Sequence, residues 1–190
     1  MEFDRVFKSP LEDNSGLNWR NWPDNLMGVF VDMGNEKGFV SNLVFEFTNT
    51  RHQGIRDSKD TEYDNYYNHG VYRSGFTYQG LPMSSPLFNP VNFINNISMG
   101  FQSNRFFSFH TGVKGNFAEN LSWKSMLTFV QHMGTFSAPY SEARNIFSGL
   151  VDLSWQHPGF AAEFGISAAL DINSRDGKNG GIQLRMAKSW

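Results

Sequence analysis

The sequence predicts an all-β protein of antiparallel strands, and three observations support this prediction. Apolar residues alternate with polar ones along several stretches, which is the period of a strand with one apolar face. The connections between these stretches alternate between short and long. The charged residues inside the stretches fall on the face opposite the apolar row. We expect seven strands and no helix.

Composition excludes several classes of function. The 190 residues contain 16 Lys and Arg against 18 Asp and Glu, and this balance gives no reason to expect a nucleic-acid partner. The chain has no Cys, which excludes disulfides, thiolate nucleophiles and Cys-ligated metals. Aromatic residues make up 16% of the chain, a high share for a soluble domain. No apolar run approaches the roughly 20 residues that a membrane helix requires.

The alternation identifies each strand in chain order. It is clearest between residues 160 and 172, where every even position is apolar. Lys188 alone interrupts the apolar row of the last strand. The predicted apolar faces are, in order, Met27, Val29, Val31 and Met33; Phe39, Leu43, Phe45 and Phe47; Phe107, Phe109 and Val113; Leu121, Trp123, Leu127 and Phe129; Phe147, Val151, Leu153 and Trp155; Phe160, Ala162, Phe164, Ile166, Ala168, Leu170 and Ile172; and Ile182, Leu184, Met186 and Trp190.

The connections predict which kind of β-protein this is. The short ones are residues 34–37, 115–120 and 156–159, and the longer ones are residues 49–95, 133–145 and 173–180. Outer-membrane barrels place short turns on one side and long loops on the other, and their strands need about 9–11 residues to cross the bilayer. The pattern therefore predicts an antiparallel transmembrane β-barrel of the outer-membrane type.

The placement of the charged residues favours a lipid-facing wall. A Lys or Arg at the bilayer midplane of a barrel costs about 2–4 kcal/mol, so lipid enforces the sorting of charges to the opposite face. A soluble sheet also sorts its charges, so alternation alone leaves a β-sandwich possible. The residues predicted on the polar face are Asp32, Glu46, Lys114, Lys124, Asp152, Glu163, Asp171 and Arg185. Four of them, Lys124, Asp152, Glu163 and Arg185, are expected to form a ladder of charges in which the two outer cations offset the repulsion between the two carboxylates.

Aromatic residues are predicted at both ends of the strands, where membrane interfaces favour them. Trp190 ends the last strand and resembles the C-terminal signal that barrel-insertion machinery recognises. The predicted groups are Phe39, Trp123, Trp155, Phe160 and Trp190 at the short-turn end, and Phe47, Phe107, Phe129 and Phe147 at the long-loop end.

Strand number predicts an incomplete barrel. Single-chain bacterial barrels have an even number of strands and no free edges, whereas seven strands are expected here. Residues 1–24 also lack the apolar core of a secretory signal. We therefore expect residues 1–190 to be the C-terminal part of one larger barrel domain in the bacterial outer membrane, in contact with its lipid.

The long connection at about residues 49–95, either extracellular or folded into the lumen, contains the candidate binding residues. Aromatic rings stack on the C–H faces of sugars, while amide, imidazole and guanidinium groups bind hydroxyls or acidic sugars. The same side chains suit a plug that fills the lumen with its hydrogen bonds satisfied, so both interpretations stay open. The candidates are Tyr66, Tyr67, Asn68, His69, Tyr72, Arg73, Phe76 and Tyr78.

The stretch DNYYNHGVYRSGFTYQGLPMSSPLF, residues 64–88, resembles a motif of the Wzi-type capsule-assembly outer-membrane proteins. The matching positions are Tyr72, Ser74, Gly75, Phe76, Thr77, Tyr78 and Gly80, followed by Pro86 and Leu87. The resemblance implies a large, internally occluded barrel that helps to assemble or retain surface polysaccharide and performs no catalysis.

Other functions have less support in the sequence. The five histidines, His52, His69, His110, His132 and His157, show neither HExxH nor HxH spacing, and no GxSxG motif or phosphate-binding loop occurs. We therefore predict no catalytic residue, metal or cofactor. Two alternatives stay open: a general porin or solute channel, which needs an open lumen, and a soluble β-sandwich module that binds carbohydrate.

Overall fold

A computed structural model describes residues 2–8, 23–54, 63–83, 85–88, 91–159, 161–175 and 177–188. Within these ranges all regular structure is β-strand, and no helix suited to crossing a membrane is found. The strands are β1 (Glu2–Lys8), β2 (Asn25–Asp32), β3 (Asn42–Asn49), β4 (Thr77–Tyr78), β5 (Leu81–Pro82), β6 (Val91–Ile94), β7 (Ile97–Phe101), β8 (Phe106–Ala118), β9 (Leu121–Gly134), β10 (Pro139–His157), β11 (Ala162–Asn173) and β12 (Gly177–Lys188).

Eight strands form one antiparallel sheet in the order β1-β2-β3-β8-β9-β10-β11-β12. Successive strands pair throughout, except where residues 50–105 are inserted between β3 and β8. This insertion, the β3–β8 segment, carries the two small hairpins β4–β5 and β6–β7. The sheet is not closed, because β1 and β12 do not pair among the described residues. The all-β antiparallel prediction is confirmed.

The predicted number of strands was wrong: seven were expected, whereas eight form the main sheet and four short ones form the two hairpins of the β3–β8 segment. Strand β1 was not predicted, because EFDRVFK shows no regular alternation, and only its register with β2 identifies it. The predicted segregation of short and long connections was also wrong. Strands β9 and β10 extend until residues 135–138 alone connect them, and residues 174–176 connect β11 to β12. Polar side chains do not prevent a backbone ladder from continuing, so composition overestimates these loops.

Two further boundaries differ from the predicted ones. The first predicted turn, residues 34–37, is part of a longer connection over residues 33–41, which places Phe39 before β3. The predicted turn at residues 115–120 shrinks to residues 119 and 120, because β8 continues to Ala118.

The register joins the strands into two chemically distinct faces. One row across seven strands, on what we call the apolar face, is uncharged: Val31, Leu43, Val113, Ser125, Val151, Ala168 and Ile182. The next row lies on the opposite, polar face and contains no apolar member. We call it the polar belt: Asp32, Asn42, Lys114, Lys124, Asp152, Ser167 and Gln183.

The charge sorting predicted from the sequence is confirmed by this register. All eight predicted charges fall on the polar face, and Arg144, opposite His132, joins them. Among the paired positions of β2, β3 and β8–β12, the apolar face carries just two charges, Lys178 and Lys188, near the two ends of β12.

The apolar face is uncovered and carries aromatic clusters at both ends. Leu184 on this face is 78% exposed. At the end that carries the β8–β9 and β10–β11 connections, the ring centroids of Phe39 and Trp123 lie 5.4 Å apart, and those of Trp155 and Phe164 lie 5.8 Å apart. At the other end the corresponding pairs are Phe47 with Phe109 at 5.1 Å and Phe107 with Phe129 at 5.9 Å. Phe160 and Trp190 lie outside the described residues.

Candidate functional site

The candidate binding residues belong to the β3–β8 segment, which packs on one end of the polar face. Phe106 of β8 is fully buried, and its ring meets that of Phe88 edge to face at 4.9 Å. Ser108 and Thr48, which are paired on the same face, are buried beside it. The apolar residues of this core are Tyr66, Phe88, Val91, Phe101, Phe106 and Val130. The segment is therefore a folded layer on the sheet.

A buried carboxylate at the start of β2 holds the segment in place. Asp24 is 3% exposed. Its Oδ1 accepts a hydrogen bond from the backbone N–H of His52 at 2.8 Å, and its Oδ2 accepts from the backbone N–H of Gln53 at 2.6 Å. Oδ2 also accepts from the Tyr66 hydroxyl at 3.1 Å. One carboxylate thus joins the start of β2, the chain leaving β3 and the core of the segment.

Burial shifts the pKa values of both Asp24 and its hydrogen-bond partner Tyr66. Burial raises the pKa of Asp24 above its ordinary value, although the bonds from Gln53 and His52 oppose that shift. Burial, followed by the nearby carboxylate, raises the pKa of Tyr66 far above its usual range. Tyr66 therefore stays a neutral donor, as its bond to Asp24 requires.

Asn104 connects the two ends of the segment. Its backbone carbonyl accepts from the Thr50 hydroxyl at 2.8 Å and from Nε2 of Gln53 at 3.1 Å. Its side-chain Nδ2 donates to Oδ1 of Asn65 at 2.6 Å and to the carbonyl of Tyr66 at 3.1 Å. Bonds to buried polar groups are costly to remove, so this junction fixes where the segment leaves and rejoins the sheet.

Asn68 clamps the middle of the segment to β7. Its Oδ1 accepts from the backbone N–H of Phe101 at 2.8 Å, and its Nδ2 donates to the Phe101 carbonyl at 3.3 Å. Two glycines make this approach possible. A Cβ on Gly100, at φ 79°, would collide with Oδ1 of Asn68, and a Cβ on Gly75, at φ 60°, would lie 2.6 Å from the Tyr67 carbonyl oxygen. Positive φ and close contact both require glycine there.

The predicted candidates divide into interior and surface residues. Tyr66 and Asn68 have partners inside the segment. Tyr67 is half-exposed and packs edge to face on Phe88 at 4.6 Å. The exposed candidates are His69, Tyr72, Arg73, Phe76 and Tyr78, of which Tyr72 and Tyr78 are 71% and 65% exposed.

His69 organises the most exposed part of this surface. Its Nδ1 accepts hydrogen bonds from the backbone N–H groups of Val71 and Tyr72, each at 3.1 Å. Its ring lies 5.1 Å from that of Tyr72. The imidazole therefore shapes the turn that presents Tyr72, with Arg73 beside it.

Several residues that build the site were not predicted from the sequence. Asp24, Gln53 and Asn104 stand in unremarkable polar stretches, and each acts through partners more than 25 positions away. The one local signal is that polar residues persist on both sides of the insertion, at 49–53 and 102–105. Such a pattern is equally typical of an exposed loop.

A second polar cluster lies on β10–β12. Nη1 of Arg185 is 3.2 Å from Oδ2 of Asp152, and its Nη2 is 3.5 Å from Oε1 of Glu163. Arg185 reaches Asp152 across Gly165, where a Cβ would lie 2.6 Å from Nη2. The predicted ladder is confirmed for these three residues. Lys124 lies opposite Asp152 in the register, but no ion pair joins them among the described residues.

Comparison with known proteins gives no match: no family model, no curated protein and no solved structure matches the chain. In the ranges that the structure describes, no group of three or more His, Asp or Glu side chains is placed to hold a metal ion.

We expect Asn68→Ala to make local opening of the segment easier. The substitution removes both hydrogen bonds to Phe101 and leaves the backbone N–H of Phe101 without the Asn68 acceptor. The cost should be about 1–3 kcal/mol of local opening free energy, measured by hydrogen exchange of residues 63–101. Ser74→Ala, on the exposed surface, is the matched control and should change the same quantity by less than about 0.5 kcal/mol. Equal exchange in both variants would contradict the clamp.

The raised pKa of Asp24 predicts a pH dependence of the same opening. The folded segment binds the proton more tightly than the opened one, so this contribution is complete below the ordinary pKa of 3.8 and is lost as pH rises through the raised value. Asp24→Asn cannot titrate and should lack this decline. The opening free energies of the two proteins, measured by hydrogen exchange, should therefore be most similar at low pH and differ increasingly as pH rises. Parallel pH profiles would contradict a raised pKa for Asp24.

Proposed function

We propose that this chain forms wall strands of a bacterial outer-membrane β-barrel, with the polar face toward the lumen. In this proposal the β3–β8 segment is a folded plug whose exposed surface contacts surface polysaccharide, and the protein assists non-catalytically in assembling or retaining that polysaccharide. The observation that carries the proposal is an uncovered apolar face with no charge between the ends of seven paired strands.

Lipid is the environment that suits such a face. Exposed Ile, Leu and Met side chains in water forgo about 1.5–3 kcal/mol each, and strand β12 alone exposes Ile182, Leu184 and Met186. Strands β8–β12 have 12–19 residues, more than the roughly 9–11 that a tilted strand needs to cross a bilayer. Aromatic clusters at both ends support the same arrangement, because membrane interfaces favour them. A closed wall would also require partners for the edges of β1 and β12.

The segment suits glycan contact better than plugging alone. A plug needs buried contacts, and Tyr66, Phe88 and Phe106 already supply these. Tyr72 and Tyr78 instead carry exposed rings outside this core, and Arg73 follows Tyr72 in the chain. The Asn68 clamp and the Asp24 junction hold this surface in one shape, which lowers the entropy cost of binding. The resemblance of residues 64–88 to Wzi-type proteins leads to the same proposal, whereas a general porin needs an unobstructed lumen.

The membrane proposal predicts opposite outcomes for two adjacent substitutions. Ala168→Arg adds a charge to the apolar face, between Val151 and Ile182, whereas Ala169→Arg adds it to the polar face, between Leu150 and Gly181. Both alanines are exposed. We expect Ala168→Arg to cost about 2–4 kcal/mol of insertion and Ala169→Arg much less. The measurement is the amount of folded protein in outer-membrane fractions, and equal amounts would overturn the face assignment.

The glycan proposal predicts that the double variant Tyr72→Ala with Tyr78→Ala reduces polysaccharide retention. Loss of two stacking rings should cost about 1–3 kcal/mol of binding, while the amount of protein in the membrane stays unchanged, because neither ring belongs to the segment's core. Cell-bound and released polysaccharide are measured together with permeability to small solutes. The control is Ile94→Ala with Ile97→Ala, which trims exposed side chains on another hairpin. Normal retention with a leaky membrane would support a plug without a glycan role.

A further inference from the structure

Two lysines of the polar belt lie side by side, and neither belongs to the proposed plug or to its glycan-contacting surface. Lys114 of β8 lies directly opposite Lys124 of β9, and both side chains are exposed. Directly opposed side chains have Cβ atoms about 4.5–5.5 Å apart, and like charges at this position destabilise a sheet. The pair therefore places two positive charges side by side at a cost to the free protein.

Nearby carboxylates relieve this cost only in part, because Asp152 attracts Lys124 electrostatically without forming an ion pair with it. In the part of the chain that the structure describes, neither lysine forms an ion pair. Asp152, which is the register neighbour of Lys124, is already bonded by the Ser167 hydroxyl and by Arg185 at 3.2 Å. Glu163 also pairs with Arg185. A single guanidinium thus occupies both acidic groups and leaves the lysines available for an external anion.

The surroundings of the pair suit a sugar that carries such an anion. Asn42 lies opposite Lys114. Asn116 and Ser122 face each other two residues further along the same face, so amide and hydroxyl groups flank the ammonium groups. The row on the other side is apolar across three strands, with Val44, Met126 and Leu150. Charge, hydrogen-bonding groups and an apolar strip together match the carboxylate, hydroxyls and C–H face of an acidic sugar.

This position is separate from the exposed tyrosines. The core of the β3–β8 segment meets β9 at Val130, six residues from Lys124, which corresponds to roughly 20 Å at about 3.3 Å per residue. We propose that Lys114 and Lys124 form a second binding site, specific for the carboxylate or phosphate group of an acidic saccharide. The saccharide part of this ligand rests on the proposed function, whereas the anion part rests on the charges alone.

The test uses the complete protein, purified in detergent, and isothermal titration calorimetry with trigalacturonate, neutral maltotriose and inorganic phosphate. We expect trigalacturonate to bind, maltotriose to bind far more weakly, and added salt to weaken the acidic ligand. The variant K114Q/K124Q should bind trigalacturonate at least about tenfold more weakly, because two charge-assisted contacts are lost. The matched control K178Q/K188Q removes the same charge from the apolar face and should stay within about twofold of the wild type.

Phosphate distinguishes the two sources of the anion. Displacement of trigalacturonate by phosphate in the wild type would assign the site to the anionic group itself, and displacement by acidic saccharide but not by phosphate would assign it to the whole acidic sugar. Equal weakening in both lysine variants, or equal binding of maltotriose, would overturn the site. Thermal unfolding provides a second readout: removing the like-charge pair should raise the midpoint of the free variant, so lost binding cannot be ascribed to misfolding.

The same titration separates this inference from the proposed function. The Tyr72 and Tyr78 double variant should bind trigalacturonate at the lysine pair as the wild type does, whatever its effect on polysaccharide retention. Normal retention in that variant with intact lysine-dependent binding would reject the glycan surface of the segment and keep the second site. Reduced retention in that variant, together with trigalacturonate binding that does not depend on the lysines, would keep the glycan surface of the segment and reject the second site.

Discussion

The two-residue period of the β-strand, held in one register across seven strands, is the constraint on which this structure depends. A shift of one residue in any strand would transfer its charges to the apolar face and its apolar side chains to the polar belt. The observed register keeps Lys114, Lys124 and Asp152 in one row, with Val113, Ser125 and Val151 in the next. Each strand therefore confirms the facing of its neighbours, and the sheet has one face without charges between its ends and one face that carries the charges.

The polar face in turn determines where the long insertion packs. It offers the segment an apolar corner at Phe106 and Val130, surrounded by groups that form hydrogen bonds. Asp24 and Asn104 then join both ends of the insertion to the sheet through buried bonds. Because these bonds anchor the interior of the segment, its exposed rings, Tyr72 and Tyr78 among them, are available for contact with another molecule.

The charges around the polar belt fall into two groups. Arg185 gathers Asp152 and Glu163 into a compact network across Gly165, where the absence of a side chain leaves room for the guanidinium. That network leaves Lys114 and Lys124 without an ion pair among the described residues, although Asp152 still attracts Lys124 at longer range. A cluster whose charges are paired thus stands beside one whose charges are only partly offset, and the second has a chemical reason to bind an anion. The proposed lumen would present this site below the plug.

The sequence by itself determined the all-β class, the approximate position of seven of the eight strands of the sheet and the face of the charges that it assigned. The reason is that a local period of two is legible wherever one face is apolar. It missed β1, whose charges break the alternation, and it overestimated the loops at 133–145 and 173–180, because backbone pairing does not depend on side-chain polarity. Only the tertiary structure decided that Asn68 is a clamp and Tyr72 a surface residue, although they are four positions apart in one motif. The reason is that Phe101, the partner of Asn68, is 33 positions away and meets it only in the folded segment, whereas the ring of Tyr72 contacts its close neighbour His69 and stays exposed.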